Sequence, residues 1–448
     1  MQNKLFHGLG PTWANACVGE NGLPGNKEYA KGYSLAANIL LDRVLGEGKL
    51  TDLVDQVVYP ICFNMRHSIE LRLKETVLYL FGLSEYKDIV LSFDLDSSHD
   101  IGKIWDYIKE YAPQLDERYT HYITKVDEEI LDIANVDPTG QTFRYPTSNE
   151  SQKHLVDVSL INLAVLKRSF VALEANLDKL ERFNMLILDE YDLKTHTKNL
   201  SRSRLFDLAN DLPARDLWEN LPFKDIKADL RKKYAISSNE FSRAINKIEP
   251  HYELGSLINL DKGILGLSDD DLRFVILLWD KLHDVSSLNK WLTDDLWVQV
   301  NDQPKFEDYK KDAELRDQIF KDCQDFLTPE KVAGIHALFY LARDSDYSEG
   351  YVSEYELQKR ILDAGNEDLY QSAMHILDKT NGFQMIITSL YWIGKACLAD
   401  ELVSKYSLSE EHEWLISCRD RSRFAPDHLL CYQGLEKDKE ENASQLPN

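Results

Sequence analysis

The chain holds no C-x-x-C pair, and its six cysteines (Cys17, Cys62, Cys323, Cys397, Cys418 and Cys431) are scattered along 448 residues. That scatter excludes a zinc-ribbon or disulfide framework and predicts reduced, mainly buried thiols. Long apolar runs are missing too. The best membrane candidate, Phe383–Ala399, is short and carries Lys395, so it reads as a buried helix and no membrane association is expected. The first twenty residues contain His7, Gly8, Gly10 and Pro11 without a continuous apolar core, unlike a signal peptide, and a cytoplasmic protein is expected. Walker loops, dinucleotide fingerprints, Gly-x-Ser-x-Gly elbows and His-Glu-x-x-His pairs are absent. Neither a cofactor nor a metal is expected. Asp344–Gly350 opens like a calcium loop, but its glycine falls one position late and Tyr355 stands where the bidentate acid belongs.

Positive charge is also scarce: 52 Lys and Arg face 76 Asp and Glu, a formal net charge of −24. Such a field repels polyanions over most of the surface and leaves room only for a local basic groove. Gly and Pro are few, at 20 and 13, while 43% of residues are hydrophobic, which argues against extended disorder. The length suits two or three domains.

What is present is helical periodicity almost throughout. Residues 1–27 read as an irregular arm. A first helix begins near Glu28, with Tyr33, Ala36, Ile39, Leu40 and Val44 expected on its buried side. A second enters at Pro60 and is expected to stop at Gly82. Ser97 and Ser98 are expected to cap a third, carrying Ile101, Ile104, Trp105 and Ile108 and closed by Pro113. A fourth spans about Leu115–Ala134. After a turn-rich loop, the longest pattern runs from His154 to Arg182 and includes Leu160. No strand alternation stands out. The expected fold is all-α: an antiparallel bundle over 1–183 with its arm, a helical middle region over 184–325, and a C-terminal helical domain over 326–448 with a polar tail expected to be disordered.

The most informative feature lies on the second helix. Arg66, Glu70 and Lys74 are spaced i, i+4 and form one charged ladder on an otherwise apolar helix that also carries His67 and Arg72. One reading is a cationic site that holds a phosphate, with a histidine as acid or base. The other is a buried salt-bridge network that sets the helix in register. Cys62, one turn before Arg66, sits among Ile61, Phe63 and Met65 and reads as core.

Two later segments bear on this choice. The ordered set Tyr59–Pro60, Arg66–His67, Glu70–Leu71, Leu73–Lys74, then His99–Asp100 and Trp105, then Phe143–Arg144–Tyr145–Pro146 resembles the HEPN-like helical bundles of bacterial defence proteins, over about residues 28–182. The resemblance implies an all-helical bundle that pairs into a homodimer and works in antiphage defence of the abortive-infection type, with RNA or a partner protein from the same operon. Active members of that class cleave RNA without a metal. Carried onto this chain, Arg66 and Arg144 would hold the phosphate, and His67 or His99 would serve as acid or base during attack by a 2′-hydroxyl. Glu70, Arg72, Asp100 and Tyr145 would form the supporting polar network. Active members also place a histidine four to six residues beyond the arginine, whereas here His67 follows Arg66 directly. The match to R-x4-H is Arg423 and His428, far from the bundle. The alternative is a non-catalytic interaction or sensor subunit of a defence complex.

A third possibility comes from the middle region. From Arg182 to Glu249 there are 13 Lys and Arg against 11 Asp and Glu, a local excess of positive charge. Phe223–Tyr234 and Ser237–Ile248 read as two helices with a very short turn, the outline of a helix-turn-helix, with Asn239, Arg243 and Lys247 along the second. Plain packing is the competing account, since Phe241, Ala244 and Ile248 mark a buried face. A DNA-binding regulator would use this pair.

Overall fold

The computed structural model describes residues 5–46, 53–147, 154–220, 222–283, 285, 288 and 306–424. His428, Cys431 and the polar tail lie outside them. Among the described residues the chain is all-α, with eighteen α-helices and no strands. None of these helices is long and apolar enough to cross a membrane. The chain forms two compact units, Met1–Lys194 and Thr195–Asn448.

The first unit contains α1 (Asn26–Leu45), α2 (Val54–Tyr86), α3 (Ile101–Leu115), α4 (Tyr119–Thr124), α5 (Asp127–Val136) and α6 (Leu163–Asp192). α2 is its spine and packs against α1, α3 and α6. Several boundaries differ from the sequence expectation. The face that α1 buries is Ala30, Ser34, Ala37, Leu41 and Val44, one position out of phase with the expected set. Small side chains at three of these positions let α1 lie close against α2, leaving Leu35 and Ile39 in solvent. α2 runs through both Pro60 and Gly82. Pro60 and Gln56 are exposed, so the carbonyl that Pro60 leaves without a helical donor faces water, and the helix continues. α3 is capped by Asp100, whose carboxylate accepts from the Lys103 N–H at 3.2 Å, not by Ser97 or Ser98, and it passes Pro113 by two residues. The single helix expected over 115–134 is two, α4 and α5. Leu160 precedes α6 and is 92% exposed, because Asn162 caps the helix by accepting from the N–H groups of Ala164 and Val165.

α6 extends to Asp192, ten residues past the expected end, because its last turns bury polar groups in pairs. Asn184 accepts from the Tyr119 hydroxyl at 2.9 Å and donates to Thr76 at 3.1 Å. Arg118 forks between Asp116 and Glu190, with contacts of 2.7–3.0 Å, and the Tyr191 hydroxyl donates to Asp116.

The second unit contains α7 (Arg202–Asp211), α8 (Phe223–Lys233), α9 (Ser238–Ile248), α10 (Tyr252–Leu257), α11 (Asp269–His283), α12 (Phe306–Cys323), α13 (Pro329–Asp344), α14 (Gly350–Asp363), α15 (Leu369–Leu377), α16 (Gly382–Trp392), α17 (Ala396–Lys405) and α18 (Glu413–Arg419). The bounds of α8 and α9 agree with the sequence reading to within a residue. Phe383–Ala399 is mostly buried, with Ala396 and Cys397 exposed, and it is split between α16 and α17 at Gly394, whose φ is +84°. One core gathers Leu200–Ile258 and another gathers Ile264–Phe424, so the latter runs across the boundary expected at residue 325. A buried ion network ties α7, α10 and α14 together. Arg202 donates to Glu349 at 2.8 and 2.9 Å, while Glu253 accepts from Trp392 and Arg421.

Candidate functional site

α2 presents the ladder Arg66, Glu70 and Lys74 toward the start of α3 and the turn 137–140. Glu70 is the hub, only 2% exposed. Its carboxylate is bonded to the Arg66 guanidinium, accepts from His99 Nδ1 at 2.9 Å, lies 3.2 Å from Lys74 Nζ and 3.5 Å from His67 Nδ1. Burial alone would push this carboxyl up. The hydrogen bonds from His67 and His99, with the charge of Arg66, outweigh burial and hold it well below the usual glutamate range.

Arg66 is 2% exposed, and four of its five N–H donors are spent inside the protein. Beyond Glu70, it donates to the carbonyls of Asp137 (3.1 Å), Pro138 (2.6 Å) and His99. The guanidinium therefore stitches α2 to the residue before the α3 cap and to the turn after α5. Gly140, with φ +76°, lets that turn close: a Cβ there would lie 3.2 Å from Arg66 Nη1. The space beside Arg66 is a 220 Å³ cavity walled by Cys62, Met65, Asp132, Ile133, Phe143 and Leu166. Apart from Asp132 and the already bonded Arg66 that lining is apolar, which does not suit a phosphate. Burial pushes the Cys62 thiol up to about 12, so it is core and not an activated nucleophile.

Of the other expected residues, His67 and His99 meet at Glu70, whereas Arg72, Asp100 and Arg144 serve other partners. His67 is partly exposed, edge-on to Tyr33 at 4.5 Å and stacked on Phe63 at 5.7 Å. His99 has a side chain 60% exposed while its Nδ1 stays on Glu70. Arg144 is exposed over the rings of Phe63 and Tyr145, at 5.3 and 5.6 Å. Arg72 belongs elsewhere: it bonds Asp178 at 2.5 Å and approaches Glu181, tying α2 to α6. Asp100 is a helix cap. Phe63, Tyr33, Asp137, Pro138 and Gly140 complete the arrangement and were not singled out from the sequence. Phe63 and Tyr33 resemble ordinary core aromatics, and the turn contributes through its backbone, which side-chain identity does not reveal.

Chemically, the arrangement offers two things. One is a closed ion network. The other is an imidazole, His99, oriented by a buried carboxylate and open to solvent on its far side. Among the described residues no cluster of His, Cys, Asp and Glu is arranged to hold a metal ion. Comparison with protein-family models, with curated proteins and with solved structures found no match to this chain.

Proposed function

We propose that this chain is a HEPN-like component of bacterial antiphage defence whose first unit acts as an interaction subunit and not as an Arg66-dependent ribonuclease. The observation that carries the reading is the internal engagement of Arg66. Four of its five N–H donors already serve one carboxylate and three carbonyls, and at 2% exposure the guanidinium is not presented to a scissile phosphate. The net charge of −24 works against a polyanionic substrate as well. A recognition surface of the right chemistry lies nearby. Leu160 and Val165 are exposed at a 360 Å³ cleft between α5 and α6, an apolar patch suited to a partner protein. The test is co-expression with the product of the adjacent gene, followed by size-exclusion chromatography. Co-elution that a Leu160→Asp/Val165→Asp variant abolishes is the expected result. Degradation of tRNA or mRNA by the purified chain in EDTA overturns it.

A second reading rests on His99. The Glu70–His99 contact of 2.9 Å, with the ring exposed, is the geometry of an oriented general base or acid. Under that reading RNA cleavage is metal-independent, is lost in His99→Ala and survives in Arg144→Lys at reduced rate.

A further inference from the structure

We infer that α8 and α9 form a helix-turn-helix that docks on duplex DNA, with α9 as the helix facing the bases. The first ground is the internal geometry of the pair. α8 ends at Lys233, Ala235 takes the left-handed conformation at φ +53°, and Ser237 caps α9 by accepting from the Glu240 N–H at 3.1 Å. Leu230, Tyr234, Ile236, Phe241, Ala244 and Ile248 all turn inward and share one core with α7 and α10. Ile236, in the turn itself, is buried in that same core, and one side of α9 is left outward.

The second ground is what that outward side carries. Ser238, Asn239, Ser242, Arg243, Asn246 and Lys247 are exposed, and no acid is among them. The one acid of α9, Glu240, is buried and accepts from the Asn199 N–H at 3.0 Å. Glu240 also lies 3.3 Å from Arg243, whose side chain is 68% exposed, so it steadies the guanidinium without covering it. Asn and Arg are the side chains that pair bidentately with adenine and guanine edges in the major groove, while Ser and Lys suit either bases or phosphates. Beside the turn α8 contributes Lys232, which is exposed, and the partly exposed Arg231, while Lys233 pairs with Asp211 at 2.6 Å.

The third ground is contrast. Phe223–Ile248 holds seven Lys and Arg against three Asp and Glu, in a chain whose net charge is −24. Single-stranded RNA is recognised by exposed aromatic platforms. α9's outward side has none, and the rings of this region, Trp218, Phe223, Tyr234 and Phe241, pack against the shared core or lie within it. Charge complementarity and side-chain type together favour duplex DNA. This inference is independent of the first unit and of its proposed role.

The experiment is fluorescence anisotropy of the full chain with a randomised 30-base-pair duplex and with an RNA of equal length, over a salt series. Duplex binding should weaken steeply and log-linearly with salt. The Arg243→Ala/Lys247→Ala variant should lose roughly tenfold or more in affinity, with its melting temperature unchanged. Undetectable duplex binding at low salt, equal affinity of wild type and variant, or preference for the RNA each overturns the inference. Should the double variant lose stability, Asn239→Ala/Asn246→Ala replaces it, with the same two readings of affinity.

Discussion

At the scale of single residues, the ladder read from spacing is the arrangement found. Arg66, Glu70 and Lys74 were legible because i, i+4 spacing puts the three side chains on one face of a helix. The burial of that ladder was not legible, since its depth is set by the turn 137–140 folding over it from 70 residues away. Glu70→Gln is therefore expected to destabilise the protein by roughly 3–5 kcal/mol, because Arg66 keeps its charge in a closed pocket without its counter-ion. The effect has a definite pH signature. Glu70 is held well below the usual glutamate range when folded, so its stabilisation is complete above roughly pH 4.3 and drains away as the pH falls below that value. Urea midpoints of wild type and Glu70→Gln should differ most at neutral pH and converge on acidification. A gap that stays constant down to pH 3 would contradict the assignment. The thiols offer a separate check. Cys62, Cys323 and Cys418 are buried and pushed up to about 12, 11 and 11, whereas Cys17 and Cys397 are exposed. Peptide mapping after brief alkylation at pH 8 should find label on Cys17 and Cys397 and none on the other three.

At the scale of elements, period was easier to read than phase. α1 was legible as a helix, yet its buried face was displaced by one residue because Ala30, Ser34 and Ala37 pack closely while larger Leu35 and Ile39 stay outside. Hydrophobicity counts favour bulk, and close helix contact favours smallness. α6 shows the converse. Its last turns bury Asn184 and Glu190, polar residues that break an apolar pattern but are satisfied by Thr76, Tyr119 and Arg118. The turn 137–140 could not be read as part of the site at all, since its carbonyls do the bonding. Gly140→Ala tests that contribution: a Cβ at φ +76° and 3.2 Å from Arg66 should cost about 1–3 kcal/mol. Thermal denaturation measures it. Combined with Arg66→Ala, the cost of Gly140→Ala should shrink, leaving only the backbone part, because the guanidinium it crowds is gone.

At the scale of the whole molecule, the all-α class followed from the near-absence of strand alternation, whereas the end of the first compact unit did not. The last apolar leucine in α6's regular pattern is Leu180, which drew the expected boundary at 183, while the unit ends at Lys194. The eleven residues between contain Ile187 and Tyr191, both 1% exposed, together with the Asn184 and Glu190 pairs. Removing the aliphatic and aromatic side chains alone forfeits on the order of 5 kcal/mol of burial, against a total stability of about 5–15 kcal/mol for a domain. It also leaves Arg118 and Asp116 without Glu190 and Tyr191 in a buried setting. A fragment of residues 1–194 is thus expected to melt cooperatively with strong helical circular dichroism. A fragment ending at 183 should lose the cooperative transition although it keeps all of α1–α5. If the shorter fragment melts as sharply and as late as the longer one, the polar pairs at the end of α6 are decoration, and the closure of the first unit must rest on α1 and α2 alone.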